Sequence, residues 1–378
     1  MTTLNIFVPS LQHMALVKVA IALCNYPEIR ALIDEENFQW RTGCRTYNIT
    51  QELMKDILDT AAKILSAFVH PNLPQKKILG VVRSLNKEIE KWIKDHSAFL
   101  HHEIDQQNNF CWRSEGTIDK QKTAKLILQN RNIDIECRFY LACFYCMEEE
   151  VQSIWNQMSE MEKMETEECA RFRILQSWIN WVKNGMESCE ETYSSWFSLS
   201  LHCTPAIQNL LKKLTPEEGR WHLEKVSESF GITYNALLFY LPLLKEDEKT
   251  QIFRKNPLQT LLCCLDWPQQ STFMEMANRF WNLLTPDEFC SLLKYILHLK
   301  IIPGCEDYNY VALFRYLWQR SSPHYKEYVK KHSMFSLMRI VLSHDHPQQL
   351  IVVGEFDPNL NEIAILCVKK NRFQICQK

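Results

Sequence analysis

Glycine is scarce in this chain: 8 of the 378 residues are glycine, about 2% against an average near 7%. Phosphate-binding loops depend on glycine, because their backbone approaches the ligand closely and adopts conformations that other residues avoid. The sequence has no Gly-x-Gly-x-x-Gly motif, no Walker loop, no Gly-x-Ser-x-Gly elbow and no protein-kinase motif set. Nucleotide-dependent and serine-hydrolase chemistry are therefore not expected.

The sequence also lacks strand patterns, membrane-length apolar runs and an excess of positive charge. No segment alternates convincingly between apolar and polar residues. The longest uncharged window, 192–211, contains polar residues and Pro205, so no membrane-spanning segment is expected. The net charge is −2, unlike the positive footprint of nucleic-acid-binding proteins. We therefore expect neither a membrane nor a nucleic acid as a partner.

What the sequence does contain is helical periodicity from end to end. Residues 11–24 read as a core helix, and a second amphipathic helix is predicted to end before Pro71. From Pro74 the apolar spacing predicts one helix of roughly thirty residues. Residues 350–353 and 363–366 are ambiguous between a short hairpin and a helix, and the spacing favours the helix.

Helix beginnings are marked by capping residues next to proline. A capping oxygen beside a proline at the first helical position favours helix initiation, because the missing N–H of proline has no intrahelical partner there. This pattern occurs at Thr204-Pro205, Thr215-Pro216, Thr285-Pro286, Ser322-Pro323 and Asp357-Pro358. Reciprocal capping boxes are predicted where a glutamate follows three residues later, at Ser159-Glu162, Ser188-Glu191, Thr215-Glu218 and Thr285-Glu288.

A weak internal repeat accompanies these helix beginnings. A proline that follows an aromatic residue or histidine is predicted to open the next helix at Tyr26-Pro27, Trp267-Pro268 and His346-Pro347. Acidic helix openings begin at Leu214, Leu244 and Leu284. In this pattern most of the chain resembles α-solenoid and ankyrin-type helical-repeat proteins, and in particular an uncharacterised animal family of such chains. The ankyrin Thr-Pro-Leu-His signature is absent. The resemblance implies a binding scaffold with an extended concave surface.

The predicted fold is therefore all-α, with stacked antiparallel helical hairpins in an α-solenoid-like arrangement and short loops that begin with proline. A non-repetitive helical domain is the alternative. The polar stretch 105–116 interrupts the periodicity. It divides the chain into an N-terminal helical region, 1–104, a loop or junction, 105–116, and a helical-hairpin repeat region, 117–378. Whether the repeats form one solenoid or two domains stays open.

Fifteen scattered cysteines indicate a reduced protein without a disulfide framework. Cys143 and Cys146 have the spacing of half a zinc site, but no second pair completes it. They also continue a helical apolar stripe with Ile135 and Phe139, and buried cysteine behaves as a small hydrophobe. Core packing is the favoured interpretation, metal or redox chemistry the alternative, and no cofactor is expected.

Four aromatic residues with few apolar neighbours are the predicted partner-binding residues, because tryptophan and tyrosine dominate interface hot spots. They are Trp40, Trp112, Tyr308 and Tyr310. Residues 147–168 are strongly acidic, whereas basic residues cluster at 120–131 and 369–378. We expect a non-catalytic protein–protein interaction scaffold of the cytoplasm, whose partner the sequence does not name. The alternative is a helical enzyme or a protein that binds a small ligand or metal.

Overall fold

The computed structural model describes residues 9–41, 47–68, 75–96, 110–145, 147–168, 173–184 and 246–344. Most of these residues are helical and none belongs to a strand, so the predicted all-α class is confirmed. An isolated backbone bridge joins Trp112 and Ile118. None of the described helices combines the length and the hydropathy that a membrane crossing requires.

Nine α-helices lie in the described part of the chain before residue 185. They are α1 (Leu11–Cys24), α2 (Pro27–Arg41), α3 (Tyr47–Phe68), α4 (Gln75–His96), α5 (Lys120–Gln129), α6 (Ile135–Phe144), α7 (Glu148–Gln157), α8 (Glu160–Glu168) and α9 (Arg173–Asn184). The helices predicted at 11–24 and before Pro71 are confirmed as α1 and α3. The helix predicted from Pro74 begins at Gln75 and is described to His96, and its predicted continuation lies outside the described residues.

Seven more helices lie between residues 246 and 344. They are α10 (Glu246–Lys255), α11 (Pro257–Cys264), α12 (Phe273–Phe280), α13 (Pro286–Ile296), α14 (Tyr310–Arg320), α15 (Pro323–Lys330) and α16 (Phe335–Ser343). Short 3₁₀ turns precede and follow α12, at Gln269–Thr272 and Trp281–Leu283, and a π-helical turn at Leu297–Ile301 extends α13.

The sequence signals for helix beginnings hold at most of the positions that the structure describes. Thr285 and Glu288 form the predicted capping box, with 3.2 Å between Oγ1 of Thr285 and the Glu288 nitrogen and 2.8 Å for the reciprocal bond. Ser159 and Glu162 form a second box. Helices α2, α13 and α15 begin at the predicted prolines. Several of the predicted features lie outside the described residues. They are the prolines at 205, 216 and 358, the capping boxes at 188–191 and 215–218, and the segments at 350–353 and 363–366.

One predicted helix opening is wrong. Pro268 was expected to open a helix, but the Trp267-Pro268 peptide bond is cis and a 3₁₀ turn, Gln269–Thr272, follows it. The next α-helix begins only at Phe273. His346-Pro347 lies outside the described residues, so Tyr26-Pro27 is the copy of this repeat that opens a helix as predicted. Regular stacking of helix pairs into a solenoid stays a prediction.

The chain divides into two compact units. The first unit comprises Met1–Leu16, Leu65–Ser84 and Arg220–Lys378, and the second comprises Val17–Ile64 and Leu85–Gly219. The predicted division at 105–116 stays a prediction, and residues 105–109 lie outside the described part of the chain. Within the first unit, α13 packs against α11, α14 and α15. Its core is rich in phenylalanine and leucine, as in Phe273, Phe289, Phe314, Leu293 and Leu317.

The second unit places α6 at its centre, because α5, α7 and α9 all pack against this helix. The apolar stripe of α6 supplies Phe139, Leu141, Ala142 and Cys143, each at most 1% exposed. Val151 and Trp155 of α7 and Trp178 of α9 are also buried. Burial of such side chains is the main favourable contribution to folding. Helix α8, which follows α7 after Ser159, presents the most unusual surface of this unit.

Candidate interaction surface

Helix α8 buries little of its own surface. The Ser159–Glu162 capping box fixes its beginning, and Thr166 is fully buried on its inner side. The outer side consists of residues at helical spacing, all of them exposed: Met161, Met164, Glu165 and Glu168. We call these four residues the methionine face.

The two methionines of this face are unusually exposed. The exposed fractions of Met161 and Met164 are 71% and 62%, although methionine is ordinarily a core residue. Leu11, Leu126 and Leu283 are also exposed, and Leu11 is more exposed than either methionine, but these leucines belong to three different elements. Scattered exposed hydrophobic residues are normal for a protein surface. Two neighbouring methionines one helical turn apart form a continuous apolar strip. The thioether chain is flexible and polarisable and adapts to different partner surfaces.

Carboxylates border the strip. Glu136, in the first turn of α6, has Asp134, Glu162 and Glu165 as acidic neighbours. Partial burial, and then the negative charges of Asp134, Glu165 and Glu162, raise the pKa of the Glu136 carboxyl. In its protonated form Glu136 donates a hydrogen bond to the Glu165 carboxylate. Two helices thus bring four acidic side chains together beside the methionine face.

The basic residues near α8 are engaged on its other flank. Lys163 forms an ion pair with Glu160 at 2.8 Å, and its Nζ lies 5.9 Å from the centre of the Trp155 ring. Lys183 of α9 forms an ion pair with Glu167. Among the described residues, no lysine or arginine forms an ion pair with Glu136, Glu165 or Glu168. The negative charge beside the two methionines is therefore uncompensated within the described part of the chain.

A groove of about 550 Å³ lies between α5, α6 and α7 of the same unit. Leu128 and Ile154 supply its apolar floor, and its rim has basic residues such as Arg138 and acidic residues such as Glu150. Lys125 and Glu150 approach to 3.9 Å across it. Side chains of both signs partly neutralise one another here, so the groove has a weaker charge preference than the methionine face.

Core packing is the favoured interpretation for Cys143 and Cys146, and metal binding is the alternative. Cys143 is 1% exposed in α6, and burial raises the pKa of its thiol well above the ordinary value. Cys146 lies outside the described residues. In the part of the chain that the structure describes, no group of three or more histidine, cysteine or acidic side chains is placed to hold a metal ion. The surroundings of Cys143 are those of a small core side chain.

The four predicted partner-binding aromatics lie in different places. Trp40 belongs to the last turn of α2, and its side chain lies outside the described part of the structure. Trp112 is partly buried, with its ring 6.2 Å from that of Phe110. Tyr308 is partly buried against Tyr310, whose exposed fraction is 2%. Tyr308 and Tyr310 are therefore neighbours, and the role of all four residues in partner binding stays a prediction.

Tyr310 takes part in a polar cluster around Lys300, in which Tyr310 is buried and the Asp266 side chain is exposed. The Lys300 ammonium lies 3.2 Å from Oδ1 of Asp266 and 5.7 and 5.6 Å from the ring centres of Tyr295 and Tyr310. Tyr295 donates to the same Asp266 oxygen at 2.6 Å. Burial opposes the charge of Lys300, but the Asp266 and Asp307 carboxylates outweigh it and raise the pKa. These groups satisfy one another, so the cluster is suited to stabilising the fold.

The methionine face was not among the residues predicted from the sequence. The sequence shows that residues 147–168 are acidic, but the spacing of the methionines does not distinguish an exposed methionine from a core methionine. The signal that was present is the high acidic content of α8, where Met161 and Met164 are the apolar members of an otherwise polar helix. A methionine in such a helix has few apolar neighbours with which to pack.

No protein-family model, no curated protein and no solved structure matches this chain. No relative therefore transfers a residue's role to it. The helical-repeat resemblance of the sequence remains a resemblance of pattern.

Proposed function

We propose that this protein is a non-catalytic interaction scaffold that binds a protein partner through the methionine face of α8. The observation that supports this proposal is the exposure of Met161 and Met164. When a partner covers exposed apolar side chains, the complex is stabilised by about 25 cal/mol per Å² of apolar area removed from water. A flexible methionine surface is typical of sites that accept a peptide segment of another protein.

The surrounding architecture fits this role. The capping box at Ser159 and the buried Thr166 hold α8 in place. Because the methionine face lies on a helix that is already ordered, binding of a partner loses little backbone conformational entropy there. The groove between α5, α6 and α7 offers a separate, concave surface on the same unit. None of the eight described cysteines forms a disulfide bond, as in proteins of a reducing compartment. We propose the cytoplasm as that compartment, and a solenoid-like stacking of helix pairs as the larger scaffold.

The test is quantitative capture of proteins from native lysate by three versions of the full chain: the wild type, M161S/M164S, and the control L126S/L283S. The control makes the same chemical change at two exposed leucines far from α8 in the sequence. Circular dichroism and thermal unfolding establish that all three are folded. We expect proteins that the wild type and the control retain equally and that M161S/M164S retains at least about tenfold less. Equal retention by all three versions would contradict the proposal.

A further inference from the structure

We infer that the partner segment that covers the methionine face is a basic amphipathic helix. Its apolar residues would lie on Met161 and Met164, and its lysine or arginine side chains would pair with Glu136, Glu165 and Glu168. This inference rests on the proposed function, because it names the partner of the same surface.

The apolar half of the argument comes from the shape of the face. Helix α8 has nine residues and is therefore about 14 Å long. Its exposed strip matches two to three turns of a partner helix, and apolar residues three and four positions apart on that helix would meet both methionines. A partner helix lying along α8 makes the backbone hydrogen bonds of its middle turns within itself, and its terminal N–H and C=O groups stay in contact with water.

The charged half of the argument comes from the residues that border the strip. Glu165 and Glu168 lie on the face, and Glu136 adjoins Glu165 from α6. The like charges repel one another, and the lysines nearby pair instead with Glu160 and Glu167. An incoming ammonium or guanidinium group replaces this repulsion by attraction, and the attraction grows as the partner excludes water. An acidic peptide or a nucleic acid would add to the repulsion.

Direct binding of a defined probe tests this inference. The probe is a fluorescent peptide of about fourteen leucine and lysine residues at amphipathic helical spacing, and its partner control has glutamate in place of every lysine. Fluorescence anisotropy with the full chain measures both affinities. We expect the lysine probe to bind, the glutamate probe to bind at least about tenfold more weakly, and the lysine affinity to fall as salt rises from about 50 to about 500 mM.

Matched variants show whether the probe uses this face. E136Q/E165Q removes two of its bordering charges and leaves both Ser159–Glu162 bonds intact, whereas D56N/D59N removes two exposed charges from α3. We expect E136Q/E165Q and M161S/M164S each to weaken binding at least about tenfold and D56N/D59N to change it less than about twofold. Equal effects of E136Q/E165Q and D56N/D59N would mean that the probe responds only to net charge, which would overturn the inference.

The two proposals fail in different ways. If M161S/M164S loses its captured partners while the lysine and glutamate probes bind alike, the interaction surface stands and the basic class of partner is wrong. If M161S/M164S keeps every captured partner and also keeps the lysine probe, the methionine face is not the binding surface, and both proposals are refuted.

Discussion

The hydroxyl group of Tyr145 lies 2.8 Å from Nε2 of His96, and both side chains are buried in the second unit. Nδ1 of the same ring lies 2.6 Å from the carbonyl oxygen of Trp92. Because a carbonyl only accepts hydrogen bonds, Nδ1 donates to the Trp92 oxygen. When the imidazole is neutral, Nε2 has no proton and accepts from the Tyr145 hydroxyl. Burial is the main reason that the pKa of His96 falls from 6.5 to about 3.

A histidine of this kind makes stability depend on pH. Because the pKa of His96 is lower in the folded state than in the unfolded state, its contribution to the free energy of unfolding is fully present above pH 6.5. This contribution is lost as the pH falls towards 3, since the unfolded chain then binds a proton that the folded protein does not. We expect the urea midpoint of the wild type to decrease between pH 7 and pH 4.5. H96Q, which keeps one donor and one acceptor, should show a smaller decrease over this range. The exposed-site control H324Q should behave as the wild type does. Equal pH dependence of H96Q and wild type would contradict the assignment.

Glu136 gives a pH effect of the opposite sign. Its raised pKa means that the protonated carboxyl favours the folded state, and this stabilisation is lost as the pH rises through the raised value. At pH 7 we expect E136Q to be more stable than the wild type by on the order of 0.5 kcal/mol, since like charges at a solvated surface interact weakly. The gain should shrink as the pH is lowered towards 4. Thermal unfolding at both pH values measures it, with D59N as the control that should show no gain.

Gly80 is required by a close approach within the first unit. A Cβ atom at this position of α4 would lie 2.7 Å from the Asp307 nitrogen and 2.7 Å from the Glu306 carbonyl carbon. Alanine favours a helix over glycine by about 1 kcal/mol, but the backbone contact outweighs this preference. We expect G80A to destabilise the protein by about 1–3 kcal/mol. K77A, on the exposed side of the same helix, should be neutral, and a G80A protein as stable as the wild type would refute the close contact.

The two prolines that open α13 and α15 allow a matched test of helix capping. Thr285 makes both bonds of its capping box, whereas Ser322 makes no capping bond with its side chain. We therefore expect T285A to lower the free energy of unfolding by about 1 kcal/mol and S322A to lower it by much less. Urea unfolding of the two variants gives the comparison. Equal losses would show that the side-chain bonds are not what distinguishes these helix beginnings.

Local sequence signals predict some of the helix beginnings correctly and one of them wrongly. Thr285, Ser159 and Pro27 specify where their helices begin, because capping involves residues within three positions along the chain. Trp267-Pro268 resembles Tyr26-Pro27 in sequence, yet a 3₁₀ turn follows it and α12 begins five residues after Pro268. The aromatic-proline pair is shared, but Glu28 follows Pro27 in the first turn of α2, whereas Gln269–Thr272 follows Pro268, so the pair alone does not specify a helix beginning.

The helical class, many of the helix beginnings and the apolar stripe of α6 that includes Cys143 follow from local sequence. These properties depend on residues a few positions apart, and helical periodicity records them directly. The packing of helices against one another places Met161 and Met164 on the outer side of α8 and brings Glu136 to Glu165 and His96 to Tyr145. Each of these depends on which helices cover a given face, and such contacts join residues that are distant in the chain and leave no local pattern.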